Sequence, residues 1–217
     1  MSKRGDELRT HILLVAKGVF LEAGFERASM DEVARRAATS KRSVYAHFES
    51  KEQIFFAVVD FVRGLFLERL KAPSSYSSKP SEALVLFCGR YLEMMLYAPS
   101  VRLNRVILAE GERLSEAAAR HHEILFGEVS ERLSAYLKAT FRLSARASAE
   151  AAQRLLAQIL FPVFPRALFG VAELVEELDA HTLSPRVDLR AVRRTVAELL
   201  RSLPRTQPSV RAAARHG

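Results

Sequence analysis

Apolar residues recur every three or four positions along most of the chain, and no stretch alternates apolar and polar residues with a period of two. The first run places on one helix face Leu8, Ile12, Val15, Ala16, Val19, Phe20 and Ala23. Gly24 follows at the position where helices commonly end in a left-handed residue. The pattern therefore predicts an all-α protein of about nine helices, beginning with a long helix that ends near Gly24.

Two short helices joined by a tight turn are predicted next. Ser29 and Glu32 form a capping box, in which a hydroxyl and a carboxylate satisfy free backbone N–H groups at the start of a helix over 30–37. Thr39 or Ser40 can cap a third helix that ends near His47. This arrangement of a long helix followed by two short ones predicts a compact amino-terminal unit.

Longer periodic segments make up the rest of the chain. Ser50 and Gln53 form a second capping box, which starts a long fourth helix. Helices are predicted over 51–70, 82–97, 101–109, 113–141, 149–161 and 189–203. The pattern does not decide the structure of 166–178. We expect a first domain over 1–55, a helical domain over 56–204 and a disordered basic tail over 205–217.

The composition excludes several classes of protein. With 217 residues, 49% of them apolar, and a mean hydropathy near zero, the chain is globular rather than disordered or collagenous. A single cysteine, Cys88, leaves no internal disulfide and no multi-cysteine zinc site, so no metal is expected. The longest apolar stretch, 155–172, contains two prolines and an arginine, which argues against a membrane partner. Residues 1–7 carry charges of both signs and no apolar run follows them, so we expect no signal peptide and a cytoplasmic location.

The net charge of +8 suggests a polyanionic partner only if the cations are grouped. Residues 1–55 hold ten Lys or Arg and eight Asp or Glu, which leaves a net charge of only +2. Residues 199–217 hold four arginines and no acid, and a solvated terminus is favoured there over a phosphate-binding arm. Net charge alone therefore does not establish nucleic-acid binding.

The third predicted helix has the chemistry needed to contact DNA. Val44 and Phe48 lie one turn apart and can anchor it to a core, and the residues left to face outward are Lys41, Arg42, Ser43, Tyr45 and His47. One α-helix fits the major groove of duplex DNA, where Arg and Lys bind guanine edges or phosphates. Further candidate phosphate contacts are Ser29, Ser40 and Lys51, each of which lies at the beginning of a predicted helix. A packed helical bundle with a solvated basic edge is the alternative.

Several short motifs follow one another in a characteristic order: Ala23-Gly24-Phe25, Ser29-Met30-Asp31-Glu32-Val33-Ala34, Ser40-Lys41, Tyr45-Ala46-His47-Phe48 and Ser50-Lys51-Glu52. The chain in this region resembles the TetR family of bacterial transcriptional regulators. The resemblance implies a helix-turn-helix over 29–48 with its recognition helix over 40–47. Two positions depart from the family pattern. Ala38 replaces the usual turn glycine, so we expect a turn that does not depend on positive φ, and Arg42 adds a potential base or phosphate contact.

The carboxyl-terminal helices offer a candidate dimer interface. Apolar residues with 3-4-3-4 spacing are Leu189, Val192, Val196, Leu199 and Leu203, and a matching face on the preceding helix contains Ala152, Leu156 and Ile159. The resemblance implies that the last two long helices of each subunit form a four-helix dimer interface. Packing within one chain is the alternative.

Aromatic and polar side chains in the middle of the chain suggest a binding cavity. The candidate residues are Phe61, Phe87, Tyr91, Met94, Asn104, His122, Phe126, Gln158 and Phe161. A mostly apolar cavity with a few polar groups is typical of small-molecule sites, and the resemblance implies a small, largely apolar effector. Plain core packing is the alternative for each of these residues.

The sequence contains no GxSxG motif, P-loop, HExxH motif or zinc-spaced Cys/His set, so no enzyme activity or cofactor is expected. The resemblance implies a homodimeric regulator, most often a repressor, that leaves an inverted-repeat operator when an effector moves the fourth helix. Repressor and activator remain undecided, because both use the same DNA-binding unit. The alternatives are a helical ligand carrier and a DNA-binding protein without sequence preference.

Overall fold

A computed structural model describes residues 3–204, with side chains from residue 5 onward. Within that range the chain forms α1 Lys3–Arg27, α2 Met30–Arg36, α3 Lys41–His47, α4 Lys51–Arg69, α5 Pro80–Leu96, α6 Ala98–Ala109, α7 Ser115–His122, α8 Glu128–Phe141, α9 Ala145–Leu160, α10 Phe164–Leu168 and α11 Leu189–Ser202. The described residues contain no β-strand, which confirms the all-α prediction. The predicted tail over 205–217 lies outside the described residues.

Local capping groups begin the helices of the amino-terminal unit as predicted. The Ser29, Ser40 and Ser50 hydroxyls accept hydrogen bonds from the third backbone N–H that follows each of them, at 3.0–3.2 Å. Gly24 interrupts α1 with φ 76°. Each of these signals acts within four residues, so it operates without any tertiary contact.

The turn between α2 and α3 differs from the prediction. Ala38 has φ 49°, so the turn does depend on positive φ although no glycine is present. The Ala38 N–H donates to the Arg35 carbonyl at 3.3 Å, and the Thr39 N–H donates to the Ala34 carbonyl at 3.1 Å. These two bonds form a Schellman motif, which requires a left-handed residue at Ala38 whatever its side chain. The prediction of a turn independent of positive φ was therefore wrong.

The amino-terminal core extends beyond the first domain. Phe20, Phe25 and Phe55 form a cluster with ring centroids 5.0–5.9 Å apart. The buried residues that join this core from α4, α6, α7 and the residue before α7 are Val58, Val59, Leu103, Ile107, Leu114 and Ala117. One hydrophobic core therefore continues past residue 55, and the amino-terminal unit shares it with the helices that follow.

Helix α5 lies at the centre of the second core, with α11 and α9 packed against it. Tyr91 is fully buried there, and its hydroxyl donates to the Leu125 carbonyl at 2.8 Å. Helices α7 and α8 are continuous through a π-helical turn at Glu123–Gly127. The single helix predicted over 113–141 is therefore present from Ser115 onward, with one wider turn inside it. No helix within residues 3–204 has both the length and the apolar character needed to cross a bilayer.

A nonhelical segment over 169–188, which we call the strap, crosses α5 and connects α10 to α11. The buried Arg90 guanidinium bonds to Glu93 at 2.5 Å and donates to the Asp179 carbonyl at 2.7 Å. Glu93 also accepts from the Ser184 N–H at 2.6 Å. This buried ion pair is therefore satisfied by the strap, and the strap is held by charged groups on α5. Most of the undecided segment over 166–178 belongs to the strap.

Candidate DNA-binding surface and cavities

Helix α3 projects from the amino-terminal unit with one face buried and the other exposed. Val44 and Phe48 are almost completely buried, and they fix the helix on the core. Lys41, Arg42 and Tyr45 are exposed, with Tyr45 at 42% of its surface. The outward face thus presents two cations and a phenol to solvent, on a helix of seven residues that fits a major groove.

The two cations of α3 differ in their surroundings. The Lys41 ammonium lies 2.7 Å from the Asp31 carboxylate on α2, and this hydrogen-bonded ion pair raises the pKa of Lys41. The same ammonium lies 6.0 Å from the centre of the Tyr45 ring. Arg42 forms no ion pair with any residue of 5–204. The Arg42 guanidinium therefore has no acidic partner among these residues, whereas the Lys41 ammonium is held by a carboxylate.

The predicted polar contacts on α3 also have structural tasks. The Ser40 hydroxyl caps the helix and lies 2.8 Å from the Ser43 hydroxyl. Ser29 caps α2, and its side chain remains exposed. His47 is half-buried, with its ring centre 6.4 Å from that of Phe48. Each of these groups retains a polar atom near the exposed edge of the unit, so their assignment to DNA stays a prediction.

Lys51 begins α4 as predicted, and its ammonium is bound within the chain. Its ammonium donates to the carbonyls of Phe25 and Glu26 at 2.9 and 3.1 Å, and it lies 4.5 Å from the centre of the Phe25 ring. These contacts satisfy free carbonyls at the end of α1, where a cation also interacts favourably with the helix dipole. The structure therefore assigns Lys51 to holding α1 against α4, and a phosphate contact would compete with these bonds.

An ion-pair cluster on the edge of α2 was missed by the sequence analysis. Glu32 accepts hydrogen bonds from Arg35 and Arg36, which lower the pKa of Glu32 to about 2. Arg36 also bonds to Glu22 of α1 at 2.6 Å. The predicted capping box is therefore only half formed, because the Glu32 carboxylate turns to these arginines. Four-residue spacing on a helix was the available signal.

The nine candidate pocket residues do not meet in one cavity. Phe87 and Tyr91 are fully buried in the second core, so packing is their role in this structure. Asn104 accepts from the His121 ring at 3.1 Å and donates to the Ser100 carbonyl. Phe61 lines a separate groove of about 530 Å³ between α4, α1 and α3. The prediction that these four residues line one pocket was therefore wrong: Phe87 and Tyr91 belong to the core, Asn104 forms a polar bridge, and Phe61 lies in an outer groove.

Four of the remaining five candidates line two different cavities, and the fifth lines neither. His122, Phe126 and Phe161 line an open groove of about 560 Å³ formed by α7, the π turn, α8 and α9. Gln158 is exposed near it on α9 but does not line it. Met94 lines a cavity of about 150 Å³, which we call the junction cavity because α1 of the amino-terminal unit closes it against α4, α5 and α6.

The residues predicted at a dimer interface are packed inside one chain. Ala152, Leu156, Ile159, Val192, Val196 and Leu199 are buried, and Leu189 and Leu203 are half-buried. Helix α11 approaches α5 so closely that a Cβ at Gly89 would lie 2.8 Å from the Leu189 side chain. These side chains therefore belong to the intrachain core, which favours the alternative of packing within one chain over the predicted dimer interface. The opposite, exposed faces of α9 and α11 remain available to a partner.

Helix α4 connects the amino-terminal unit to the rest of the molecule through ion pairs. Asp60 lies 3.1 Å from Arg120 of α7, and Arg63 lies 2.7 Å from Glu128 of α8. Arg113 bonds to Glu26 at the end of α1. Because α4 runs without a break from Lys51 to Arg69, one helix joins the DNA-binding unit to α7 and α8.

The exposed α3 on a buried anchor, joined to α2 by a tight turn and braced by α1, defines a helix-turn-helix DNA-binding protein. Residues 12–58 match the profile of bacterial regulatory proteins of the tetR family, and residues 82–197 match that of the AefR-like transcriptional repressor C-terminal domain. The second match covers more than half of the chain. The protein belongs to the TetR family of transcriptional regulators.

Individual relatives agree with this assignment. The transcriptional activator FasR of Mycolicibacterium smegmatis is 44% identical over 54 residues, which are 25% of each chain. The chain spans between 22% and 49% of the length of the curated relatives it matches. A TetR-family regulator from Mesorhizobium loti shares the fold with a TM-score of 0.75 at 20% identity, covering 92% of this chain and 98% of that one. The flavonoid-responsive regulator FrrA gives 0.67 at 25% identity, covering 90% and 94%.

Proposed function

We propose that this regulator is a homodimeric repressor that binds an inverted-repeat operator through α3 and leaves it when a small, largely apolar effector binds. The observation that carries the proposal is the outward face of α3, where Lys41 and Arg42 stand exposed above the buried Val44 and Phe48. The match to a repressor carboxyl-terminal domain supports repression, whereas the FasR relative is an activator.

Arg42 is the residue we assign to base recognition, because its guanidinium has no competing ion pair within residues 5–204 and can bind guanine in a bidentate manner. Lys41 is assigned to a phosphate. Its ion pair with Asp31 is exposed, so exchanging it for a phosphate costs little free energy. Asp31 therefore lowers the affinity for any DNA sequence by only this small amount, because it loses its partner each time DNA is bound.

The dimer is required because one seven-residue recognition helix reads only a few base pairs, and two helices spaced by one turn of DNA multiply the affinity. We place the partner subunit against the exposed faces of α9 and α11. On α9 this face includes Gln153, Ala157 and the largely exposed Phe161, and on α11 it includes Ala197. The small alanines permit close approach of two helices, and the aromatic ring offers apolar area to bury.

Release follows from the coupling of α4 to α7 and α8. The pairs Asp60–Arg120 and Arg63–Glu128 fix α4 relative to the carboxyl-terminal helices. An effector that binds better to a second arrangement of these helices shifts the equilibrium toward it, and the two α3 helices then no longer match the operator spacing. Since both ion pairs are surface pairs, each is weak enough to exchange.

The test is selection of binding sites from a random duplex pool with the purified chain at near-physiological salt. We expect an inverted repeat, and we expect the Lys41→Ala/Arg42→Ala variant to lose it. The matched control is Arg102→Ala/Lys138→Ala, which removes two exposed cations on α6 and α8 and should keep the repeat. Because both variants lose two positive charges, a general electrostatic effect would weaken both alike.

Other outcomes favour the other classes of function. Binding without a preferred sequence, lost equally in both variants as salt rises, would indicate a non-specific DNA-binding protein. Absence of DNA binding by a folded dimer would favour a ligand carrier. A transcription assay on the selected operator then separates repression from activation.

A further inference from the structure

The junction cavity combines apolar walls with positive charge. Its lining is mostly apolar and includes Leu21 of α1, Leu65 of α4, Met94 of α5 and Leu178 of the strap. The polar groups that line it are Lys17 of α1, Arg69 of α4, Tyr97 and Ser100, and no acidic residue is among its lining residues. Sites that bind small molecules have this composition, with a few polar groups placed on an apolar surface.

The two cations of the cavity lack partners of opposite charge. In the part of the chain whose side chains are described, neither Lys17 nor Arg69 forms an ion pair, whereas Arg63 on the same helix as Arg69 pairs with Glu128. Glu68, next to Arg69 in sequence, lines the neighbouring groove instead of this cavity. Two like charges beside an apolar surface favour binding of an anion, because an anion reduces their repulsion and gains charge-assisted hydrogen bonds.

The size of the cavity limits the apolar part of such a ligand. A volume of about 150 Å³ accommodates a single ring or a short chain. Leu178 of the strap, Met94 and Arg69 also line an adjoining groove of about 630 Å³. These three side chains thus form the boundary between the two spaces, and a longer ligand can extend past Leu178 into the groove.

The position of the cavity connects it to the DNA-binding unit. Helix α1 supplies Lys17 and Leu21, and the same helix packs against α4 and α6 on either side of the cavity. A ligand seated there touches the recognition unit and the body at once. If it widens the space between them, it changes the angle of the whole unit without any long-range transmission.

We propose that the junction cavity is the effector site, and that it binds an organic carboxylate with an apolar body whose charged group is held by Lys17 and Arg69. The inference rests on the effector-controlled regulator proposed above. It names the chemistry of the ligand and places the site between α1 and the body. The 560 Å³ groove around Phe126 has no Lys or Arg among its lining residues, so it lacks the groups that would hold a carboxylate.

The experiment uses three ligands of nearly equal shape and different charge: 3-phenylpropionate, 3-phenylpropanol and 3-phenylpropylamine. Calorimetric titration of the full chain without DNA should show the acid binding at least about tenfold more tightly than the alcohol, and the amine more weakly than either. Octanoate serves as a second, longer acid. Sodium acetate at the same concentration controls for ionic strength.

Variants locate the site. Lys17→Met/Arg69→Met keeps the aliphatic stems and should abolish the preference of acid over alcohol. Arg102→Met/Lys138→Met removes two exposed cations elsewhere and should retain it. Leu65→Trp fills the cavity from a position that is 38% exposed, so the fold should tolerate it, and it should block all three ligands. Circular dichroism and operator binding confirm that each variant is folded.

Equal binding of acid and alcohol, an acid affinity unchanged in Lys17→Met/Arg69→Met, or no acid binding at all would overturn the inference. Operator affinity is measured separately with and without the acid. Acid binding that depends on Lys17 and Arg69 but leaves operator affinity unchanged would support the site and contradict effector-controlled release. Absence of site-specific DNA binding by the wild-type chain would contradict the proposed function, and the ligand-binding result would still stand.

Discussion

Replacement of Ala38 by glycine should stabilise the protein, although it removes a methyl group. Ala38 has φ 49° in the turn between α2 and α3, and a left-handed conformation costs an L-residue about 1–2 kcal/mol. Glycine avoids this strain. Its greater conformational freedom, however, stabilises the unfolded chain by about 0.4–1 kcal/mol. The exposed methyl of Ala38 contributes little packing. The difference is a stabilisation of about 0.5–1 kcal/mol, or a Tm increase of about 2 °C for a chain of this size.

Thermal unfolding followed by circular dichroism measures this change. The matched control is Ala46→Gly, since Ala46 is also an exposed alanine of the helix-turn-helix but lies inside α3 with helical geometry. Glycine there should lower the stability by about 1 kcal/mol. A decrease in Tm for Ala38→Gly similar to that for Ala46→Gly would refute the left-handed turn and the Schellman motif built on it.

Two further predictions concern buried polar groups. Burial lowers the pKa of His121 to about 4, with a smaller effect from His122, so the unfolded chain binds a proton that the folded chain rejects. Stability should therefore fall by up to about 3 kcal/mol between pH 6.5 and 4, and urea titrations across this range should show a flatter dependence for His121→Gln. Arg90→Met leaves Glu93 buried without its cation and should destabilise by about 3–5 kcal/mol in urea. Adding Glu93→Gln should recover part of this, and no recovery would contradict a charge effect.

The amino-terminal unit follows from local sequence signals. Serine caps at Ser29, Ser40 and Ser50 lie where the sequence places them, and Gly24 interrupts α1 as expected. Val44 and Phe48 are buried because their spacing puts them on one face of α3. All these signals involve residues within a few positions of one another, so the chain alone determines them.

The sequence also identified the family, because the motif residues of the helix-turn-helix are close together in the chain. It misjudged Ala38, since the Schellman hydrogen bonds impose a left-handed conformation even without glycine. It placed Lys51 on a phosphate, whereas tertiary packing brings the end of α1 within reach of the Lys51 ammonium. A helix start attracts anions in general, and which group it meets depends on neighbours distant in sequence.

Only the tertiary structure decided which helix faces pack against other helices of the same chain. The apolar stripe of α11 shows that one side of the helix is buried, and the stripe is the same whether α5 or a second subunit covers it. The structure gives that stripe to α5 and α9 and leaves the opposite face exposed. Lys17 and Arg69 line the same cavity, which likewise depends on how α1 and α4 pack. Periodicity within a helix reports that a face is buried, but only three-dimensional packing determines what buries it.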